Sequence, residues 1–415
     1  MGSWLEGRPA TATLERVPAL PTPTPTPAPA GALVIGGDYR GLGVVRSLGR
    51  AGVPVWVLTD EHRLAAASRY SRRDLPFPTA ANDETQVAFL LDVARRYGLR
   101  GWALFPTGDE TAALIARHHE RLAEHLALTT PPWPALRWAY DKRLTHQLAD
   151  EAGVASPWTR YPASRAEVLA LDCDFPVILK PAAKPEANAL TMAKAWRVES
   201  REELLARYDA ACRLLPPELL MVQELIPGGG ECQLSYAALC VDGRPLASIT
   251  ARRTRQWPVD FGRASTYVET VAAPEVDAAA RRLIAAMGYA GLVELEFKRD
   301  PRSGVLKLID INPRVWGWHS LGRRAGVDFP ALQWRLLRGE AVAERQAAAG
   351  VRWVRMTTDL PTVAREILGR RLSPLRYLWS LRRPIEFAIW ALDDPVPAAV
   401  ELPLIVRLAL ARGSL

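Results

Sequence analysis

After residue 31, short apolar runs alternate with longer segments in which apolar residues recur every three to four positions. The runs ALVI and VPVWVL predict buried strands, and the periodic segment between them predicts a helix. Strand–helix–strand repeats are typical of a parallel sheet with helices on its faces. We therefore predict a small α/β domain over residues 31–130. Its predicted elements are strands at 32–35, 53–58 and 101–106 and helices at 41–51, 84–97 and 109–125.

A different pattern begins near residue 131. Between residues 219 and 271, short apolar segments are separated by turn signals such as PGGG and DG, which indicates antiparallel strands. We therefore predict an α+β body over residues 131–345. Its predicted elements are helices at 141–152 and 274–288, a strand at 176–180 and a hairpin formed by 292–298 and 305–311.

The two ends of the chain lack these patterns. Residues 1–30 contain the run PTPTPTP and no apolar periodicity, which predicts a disordered or extended Pro/Thr-rich tail. Residues 346–415 predict a mainly helical C-terminal extension. Its last apolar segment, 398–410, is interrupted only by Glu401 and Arg407. That segment predicts a helix packed on the body, with a helix lying on a membrane surface as the alternative.

Composition narrows the class of protein. Hydrophobic residues make up 49% and charged residues 24% of the chain, as in soluble globular proteins. The net charge of +8 attracts anions, but no dense basic run is interleaved with aromatic residues, so nucleic-acid binding is not expected. The cysteines have no zinc or CxxC spacing, and neither a signal peptide nor a membrane-spanning run is present. These features predict a cytoplasmic protein without a transmembrane segment.

Glycines follow the first predicted strand, at residues 36, 37, 41 and 43. A glycine turn before a helix can hold a phosphate at the helix N-terminus. The spacing is not that of the G-x-G-x-x-G dinucleotide motif, so tight packing is the alternative. With Asp60 as a ribose ligand, this turn is the basis of one rival hypothesis, an NAD(P)-dependent oxidoreductase.

Lysine is rare in this chain, since only six of the 53 basic residues are lysines. Lys142 opens a predicted helix and Lys180 ends a buried strand. An ammonium group at the end of an apolar strand must reach a counter-charge or water. A compact ammonium suits a phosphate oxygen, so both lysines are candidate phosphate ligands. A snorkelling surface lysine is the alternative for Lys180.

The segment VQELIPG, residues 222–228, runs from a strand into a turn. Backbone groups at such a strand end can pair with the edge of an adenine. Glu231 follows across the turn, so Glu224 and Glu231 can accept hydrogen bonds from an amino group and from ribose hydroxyls. Two exposed acids flanking a turn remain the alternative for this segment.

Acidic residues cluster on the last predicted hairpin. Asp310 and Asn312 are two residues apart on one strand and so face the same side, while Glu296 lies on the preceding strand. Three such oxygen ligands suit Mg²⁺. Glu294 alternates onto the same face and competes with Glu296 for this role. Arg314, just past the hairpin, is placed to stabilise developing negative charge.

The order of these motifs resembles that of the ATP-grasp superfamily, which includes D-alanine–D-alanine ligase, biotin carboxylase and carbamoyl-phosphate synthase. The resemblance covers roughly residues 32–340 and implies a Rossmann-like pre-grasp domain followed by an ATP-grasp body with antiparallel sheets. It implies the following site residues: Lys142, Lys180, Gln223, Glu224, Leu225, Ile226 and Glu231 for ATP, Glu296, Asp310 and Asn312 for Mg²⁺ or Mn²⁺, and Arg314 and Arg255 for catalysis.

The implied reaction activates a carboxylate as an acyl phosphate and joins it to an amine or another nucleophile, with release of ADP and phosphate. Small-molecule carboxylates and amines are the expected partners, and a homodimer is left open. The segment 181–195 departs from the family because it has no glycine where a glycine-rich lid is usual, so Lys184 and Lys194 are candidates to close over the phosphates. Asp310 also stands where glutamate is usual. A non-catalytic ATP-binding relative is therefore the second alternative.

Overall fold

The computed structural model of the chain describes residues 28–182, 190, 195–257 and 264–411. The predicted N-terminal tail lies, up to residue 27, outside the described residues. Within the described ranges no helix is long and apolar enough to cross a membrane.

The first unit is a sheet of five parallel strands with four helices. Its elements are β1 (Ala32–Ile35), α1 (Tyr39–Arg50), β2 (Val55–Thr59), β3 (Ser71–Pro76), α2 (Asp83–Arg96), β4 (Ala103–Pro106), α3 (Asp109–Arg117), α4 (His119–Ala123) and β5 (Ala127–Leu128). The strand order is β3-β2-β1-β4-β5, with the fully buried β1 in the centre. The single helix predicted over 109–125 is wrong, because the backbone leaves the helical conformation at His118 (φ −105°, ψ 27°).

A small antiparallel sheet follows. Its strands and the helices around it are α5 (Trp133–Tyr140), α6 (Lys142–Glu151), β6 (Thr159–Arg160), α7 (Arg165–Leu169), β7 (Val177–Pro181), β8 (Trp196–Val198), α8 (Arg201–Cys212) and β9 (Leu220–Glu224). The strand order is β6-β9-β7-β8. Asp141 caps α6 by accepting a hydrogen bond from the Arg143 amide, which fixes Lys142 as the first residue of the helix.

The largest sheet is formed by the next strands, which run antiparallel to their neighbours. These elements are β10 (Gln233–Val241), β11 (Arg244–Trp257), β12 (Ala264–Thr270), α9 (Pro274–Met287), β13 (Gly291–Arg299) and β14 (Leu306–Asn312). Asp242 and Gly243 connect β10 to β11 with φ of 46° and 73°. Two consecutive positive φ values match the tight turns that suit the twist of a hairpin. The strand order here is β14-β13-β10-β11-β12.

The C-terminal part returns to this large sheet. Its elements are α10 (Ser320–Arg324), α11 (Phe329–Leu337), β15 (Arg345–Gln346), β16 (Arg352–Val354), α12 (Met356–Leu368), α13 (Pro374–Ser380), β17 (Ile385–Phe387) and α14 (Val396–Ala411). β16 pairs antiparallel with β12, and β17 pairs parallel with β16. The predicted helical extension therefore also contains two short strands that extend the large sheet.

The two faces of the large sheet pack against different layers. On one face, Tyr236 and Leu295 pack with Leu283 of α9. On the other, Ala237 belongs to the same apolar cluster as Leu42 of α1. Ala237 pairs with Glu294, so the polar residues of β13 and β14 lie on the face that the N-terminal domain covers.

Candidate active site

Four polar residues face each other across the β13–β14 hairpin. Glu294 is opposite Asn312, and Glu296 is opposite Asp310. Asn312 Nδ2 donates hydrogen bonds to Glu294 Oε2 at 3.1 Å and to Glu296 Oε1 at 3.0 Å. The strand pairing therefore brings together the three residues for which a metal-binding role was predicted.

Glu294, the competing carboxylate, is enclosed by the protein. It is 4% exposed, and its Oε1 accepts a hydrogen bond from Trp318 Nε1 at 2.9 Å. Burial, reinforced by the negative charge of Glu296, raises the pKa of Glu294 to about 7. Glu294 is thus engaged in holding Asn312, and Glu296 is the glutamate that stands directly opposite Asp310.

Each carboxylate of the Glu296–Asp310 pair contacts a cation from another element. Arg253 Nη1, on β11, donates to Glu296 Oε2, and Lys142 Nζ, at the start of α6, donates to Asp310 Oδ1. Taking such charges out of water is costly unless they are paired and hydrogen-bonded. The lysine predicted to bind phosphate therefore lies directly against a predicted metal ligand.

His146 connects the second predicted lysine to this cluster. Burial lowers the pKa of His146 to about 4, and the positive charges of Lys180 and Lys142 add to the effect. Like charges act in this way over short distances, so both ammonium groups lie near the imidazole. The Nδ1 atom of His146 is 2.8 Å from the Tyr161 hydroxyl.

The hinge segment, defined as residues 223–226, is held by two further lysines. Lys307 Nζ donates to Glu224 Oε1, and Lys298 Nζ donates to the carbonyl oxygen of Ile226 at 2.8 Å. Lys298 is buried, and burial lowers its pKa. Neither lysine was singled out from the sequence.

The rest of the hinge is integrated into the small sheet. The amide of Leu225 points to the Pro176 carbonyl oxygen at 3.4 Å. The buried side chain of Gln223 donates from Nε2 to Thr159 Oγ1 at 2.9 Å. Any contact of Gln223 with a nucleotide must then come from its backbone.

Glu231 lies at the edge of the hinge. Its Oε1 accepts a hydrogen bond from the Gly229 amide at 2.9 Å. Together with Leu234, Arg252 and Arg299 it lines a groove of about 280 Å³. Leu234 belongs to the apolar cluster beneath α9, so this groove opens beside the sheet face opposite to the carboxylates. The ribose-binding role of Glu231 stays a prediction.

Arg314 joins the hairpin to the N-terminal domain. Its Nη2 donates to Asp109 Oδ2 at 3.0 Å and to Asn312 Oδ1 at 3.2 Å. Asp109 lies in the first turn of α3, where the helix dipole favours a negative charge. The Nε atom of Arg314 is buried and has no hydrogen-bond partner in the described part of the chain. This guanidinium is enclosed beside the carboxylates and is not a surface ion-pair partner.

Arg255, the other predicted catalytic arginine, is engaged elsewhere. Its guanidinium donates twice to the Asp359 carboxylate, at 2.8 Å for each contact, and once to Ser380 Oγ at 3.1 Å. It also lies over the Tyr267 ring, 4.0 Å from the centroid. Arg253 thus contacts the carboxylates of the β13–β14 hairpin, whereas Arg255 contacts residues of α12 and α13. The catalytic role of Arg255 stays a prediction.

The glycine turn after β1 has a structural explanation. Asp38 Oδ1 accepts hydrogen bonds from the amides of Arg40 and Gly41, at 2.8 and 3.3 Å. These amides would have to be available to hold a phosphate at the start of α1. A Cβ atom on Gly37 would lie 1.7 Å from the carbonyl oxygen of His62. Close packing therefore accounts for the glycine, and the dinucleotide hypothesis gains no support.

Lys184 and Lys194, the candidate lid lysines, lie outside the described residues.

The donor set of the hairpin suits Mg²⁺. This ion usually binds through one or two carboxylates and completes its shell with water and substrate phosphates. Glu296 and Asp310 supply two carboxylates on one face, with an amide beside them. A cluster of three or more His, Cys, Asp or Glu side chains arranged as a metal site does not occur in the described ranges. A site completed by water and phosphate oxygens would fit this donor set.

Known proteins resemble this chain in both sequence and structure. The family model described as ATP-grasp in the biosynthetic pathway with Ter operon matches residues 217–358. A D-aspartate ligase of Enterococcus faecium is 26% identical over 315 residues, which cover 68% of this chain and 70% of that protein.

Two solved structures show the same fold. The L-amino acid ligase of Bacillus licheniformis has a TM-score of 0.57 at 15% identity and covers 74% of both chains. The biotin carboxylase domain of a Hydrogenobacter thermophilus 2-oxoglutarate carboxylase, in complex with MgADP, ADP and bicarbonate, has a TM-score of 0.59 at 17% identity. The match covers 77% of this chain and 73% of that one. The family model and the D-aspartate ligase thus indicate the ATP-grasp superfamily, and the two solved structures share its fold.

Proposed function

We propose that this protein is an ATP-dependent ligase that joins a carboxylate to an amine. One observation carries the proposal: Lys142 contacts Asp310, which stands opposite Glu296 on the hairpin. Lys180 adds to the lowering of the pKa of His146, on the same helix as Lys142. Ammonium groups and carboxylates concentrated in one cleft are suited to hold a nucleotide triphosphate together with its metal ion.

The nucleotide would lie between the small sheet and the large sheet. The carbonyl oxygen of Leu225 and the amide of Ile226 would contact the adenine edge. Lys142 and Lys180 would contact phosphate oxygens, and Glu296, Asp310 and Asn312 would hold Mg²⁺, or Mn²⁺ in its place. When bound, the metal ion neutralises phosphate charge and orients the γ-phosphoryl group.

The reaction would have two steps. A carboxylate oxygen of the substrate attacks the γ-phosphorus, and the bond from that phosphorus to the bridging oxygen of ADP breaks. An amine nitrogen then attacks the acyl carbon, loses a proton to solvent and displaces inorganic phosphate. The protein would contribute mainly by holding the reactants in position and by preorganised charge.

Arg314 and Arg253 have different parts in this scheme. Arg314 is enclosed next to Asn312 and keeps its Nε donor unused within the described part of the chain. We assign it to the charge that develops on the transferred phosphoryl group. Arg253 contacts Glu296 and would position that carboxylate.

Amino acids are the first substrates to test. The relatives named above are a D-aspartate ligase and an L-amino acid ligase, so each carries an amino acid in its name. We propose that this protein likewise uses an amino acid or a small peptide, as the carboxylate or as the amine. Its expected setting is the cytoplasm, with small molecules as partners.

The test is ADP release with Mg-ATP, screened over pairs of carboxylates and amines, with the product identified by mass spectrometry. ADP release that requires both substrates and yields an amide supports the proposal. Asp310→Asn is the matched control, because it keeps the side-chain size and removes the charge. ATP binding without turnover over the whole screen would favour the non-catalytic alternative, and stabilisation by NAD(P)H alone would contradict ATP binding.

A further inference from the structure

Large apolar side chains are exposed on and next to helix α13. The α13 surface is defined here as Leu368, Leu375, Leu378 and Trp379, which are 84%, 72%, 63% and 65% exposed. Leu375, Leu378 and Trp379 are three and four residues apart on α13 and so lie on one face of that helix. Contiguous exposed apolar patches on soluble proteins mark interaction sites.

Arginines accompany these apolar residues. Between residues 365 and 383 the chain carries six arginines and a single acid, Glu366, which pairs with Arg371. Within the described ranges the structure gives no ion pair to Arg370, Arg376, Arg382 or Arg383. The guanidinium of Arg382 lies over the Trp379 ring, 5.0 Å from its centroid. The segment is therefore both apolar and strongly cationic at the surface.

A second apolar surface borders α12, the helix that ends at Leu368. Its first turns, with Leu360, line a groove of about 690 Å³ together with Trp390 and Leu402. The side of α14 away from Glu401 exposes Val396, Leu402 and Val406. Glu401 itself is buried and accepts a hydrogen bond from Thr357 Oγ1 at 2.7 Å. Glu401 of α14 thus points inward, while several apolar residues of the same helix are exposed.

We propose that the α13 surface docks on an anionic phospholipid bilayer. Tryptophan and leucine with interspersed arginine is the composition of segments that lie in the membrane interface. Arginines next to a membrane surface are attracted to its anionic headgroups, and this segment carries six arginines against one acid. The local excess of positive charge therefore favours a lipid surface over a protein partner as the occupant.

The docked surface would be fixed relative to the candidate active site. Ser380, the last residue of α13, accepts a hydrogen bond on Oγ from Arg255 and one on its carbonyl oxygen from the Tyr267 hydroxyl, at 3.1 and 3.0 Å. Arg255 and Tyr267 belong to strands of the sheet that carries the carboxylate cluster. Docking would thus hold the candidate active site at a set orientation to the bilayer.

The test is co-sedimentation of the full chain with vesicles of phosphatidylcholine alone and of phosphatidylcholine mixed with phosphatidylglycerol. We expect binding to the mixed vesicles only, reduced at high salt because the charges are screened. Leu375→Ser, Leu378→Ser and Trp379→Ser combined should lower partitioning on the order of a hundredfold. Arg382→Gln should lower it by about fivefold. Leu169→Ser, at a leucine that is 54% exposed on another part of the molecule, is the matched control and should change nothing.

Two outcomes overturn the proposal. One is equal binding, or none, to both kinds of vesicle. The other is a dimer by light scattering that the triple serine variant converts to monomer, which would make the α13 surface an interface between copies of this chain. Circular dichroism of the triple variant shows whether it is still folded, so that weaker vesicle binding is not confused with loss of folding.

Discussion

Two buried polar clusters in this protein are built in opposite ways. The first, the C-terminal clasp, surrounds Asp394. Its Oδ2 accepts hydrogen bonds from Arg46 Nε at 2.8 Å and Ser68 Oγ at 2.7 Å, and its Oδ1 accepts one from the Arg69 amide at 2.9 Å. Both oxygens are satisfied by the N-terminal domain, and one carboxylate meets one guanidinium.

The second cluster consists of the acidic side chains of the β13–β14 hairpin, in the candidate active site, which is called the cleft below. Here Glu294 and Glu296 lie on one strand face with Asp310, and the crowding helps to raise the pKa of Glu294 to about 7. Arg314 Nε has no hydrogen-bond partner in the described part of the chain. In the clasp, both carboxylate oxygens of Asp394 have hydrogen-bond partners. The cleft concentrates charged side chains whose charge a bound nucleotide and its metal ion would balance. In the cleft, several acids share one strand face and the pKa of one of them is shifted by burial and charge, which is the pattern that marks candidate functional sites.

The clasp should carry the largest effect on stability. Asp394→Ala leaves the Arg46 guanidinium buried without its partner, which costs about 3–5 kcal/mol of unfolding free energy. Urea unfolding measures this loss. Asp393→Ala, at the more exposed neighbouring pair with Arg50, is the control and should cost about 0–1 kcal/mol. Equal losses for the two variants would show that the clasp has no special role.

The cleft should carry the largest effect on turnover. Arg314→Ala should lose on the order of a hundredfold in ADP release, while ATP affinity changes little, because its charge acts on charge that develops during transfer. Arg255→Ala tests the other arginine: with its guanidinium bound to Asp359, we expect lost stability in place of a selective loss of turnover. Normal turnover of Arg314→Ala would remove the catalytic assignment at the end of the hairpin.

The raised pKa of Glu294 predicts a pH dependence of stability. Between its ordinary value of 4.5 and the folded value of about 7, the unfolded chain binds fewer protons than the folded protein. The unfolding free energy therefore falls as pH rises through this window. Glu294→Gln should remove this component, on the order of 1–3 kcal/mol between pH 4.5 and 7. Parallel pH slopes in the parent and the variant would contradict the assignment.

The smallest effect is expected at the hinge. Lys307→Met removes the contact with Glu224, which should loosen the hinge and weaken ATP binding by roughly threefold to tenfold, as for loss of one hydrogen bond. Lys307→Arg keeps a donor and a charge, and so should recover most of the affinity. Titration calorimetry with Mg-ATP measures both variants. An unchanged affinity in Lys307→Met would separate this lysine from nucleotide binding.

The sequence contains more of this site than its motifs alone suggest. The alternation of a strand places Asp310 and Asn312 on one face whatever surrounds them, and the scarcity of lysine draws attention to the few positions that have one. All four lysines in the described part of the chain lie at the cleft or its hinge: Lys142, Lys180, Lys298 and Lys307. The scarcity that draws attention to the first two lysines applies equally to the last two, and it is the sequence signal that could have identified them.

The sequence by itself determined the strand–helix–strand alternation at the start of the folded part and the β13–β14 hairpin, because these depend on local periodicity. Only the tertiary structure determined which of two residues close in sequence contacts the candidate active site. The pairing of β11 with β12 is irregular around Arg255, which contacts Asp359, while Arg253 contacts Glu296. Trp318, on a different segment, determines that Glu294 is held in the interior. Such choices depend on partners that are distant in the chain, and no local pattern records them.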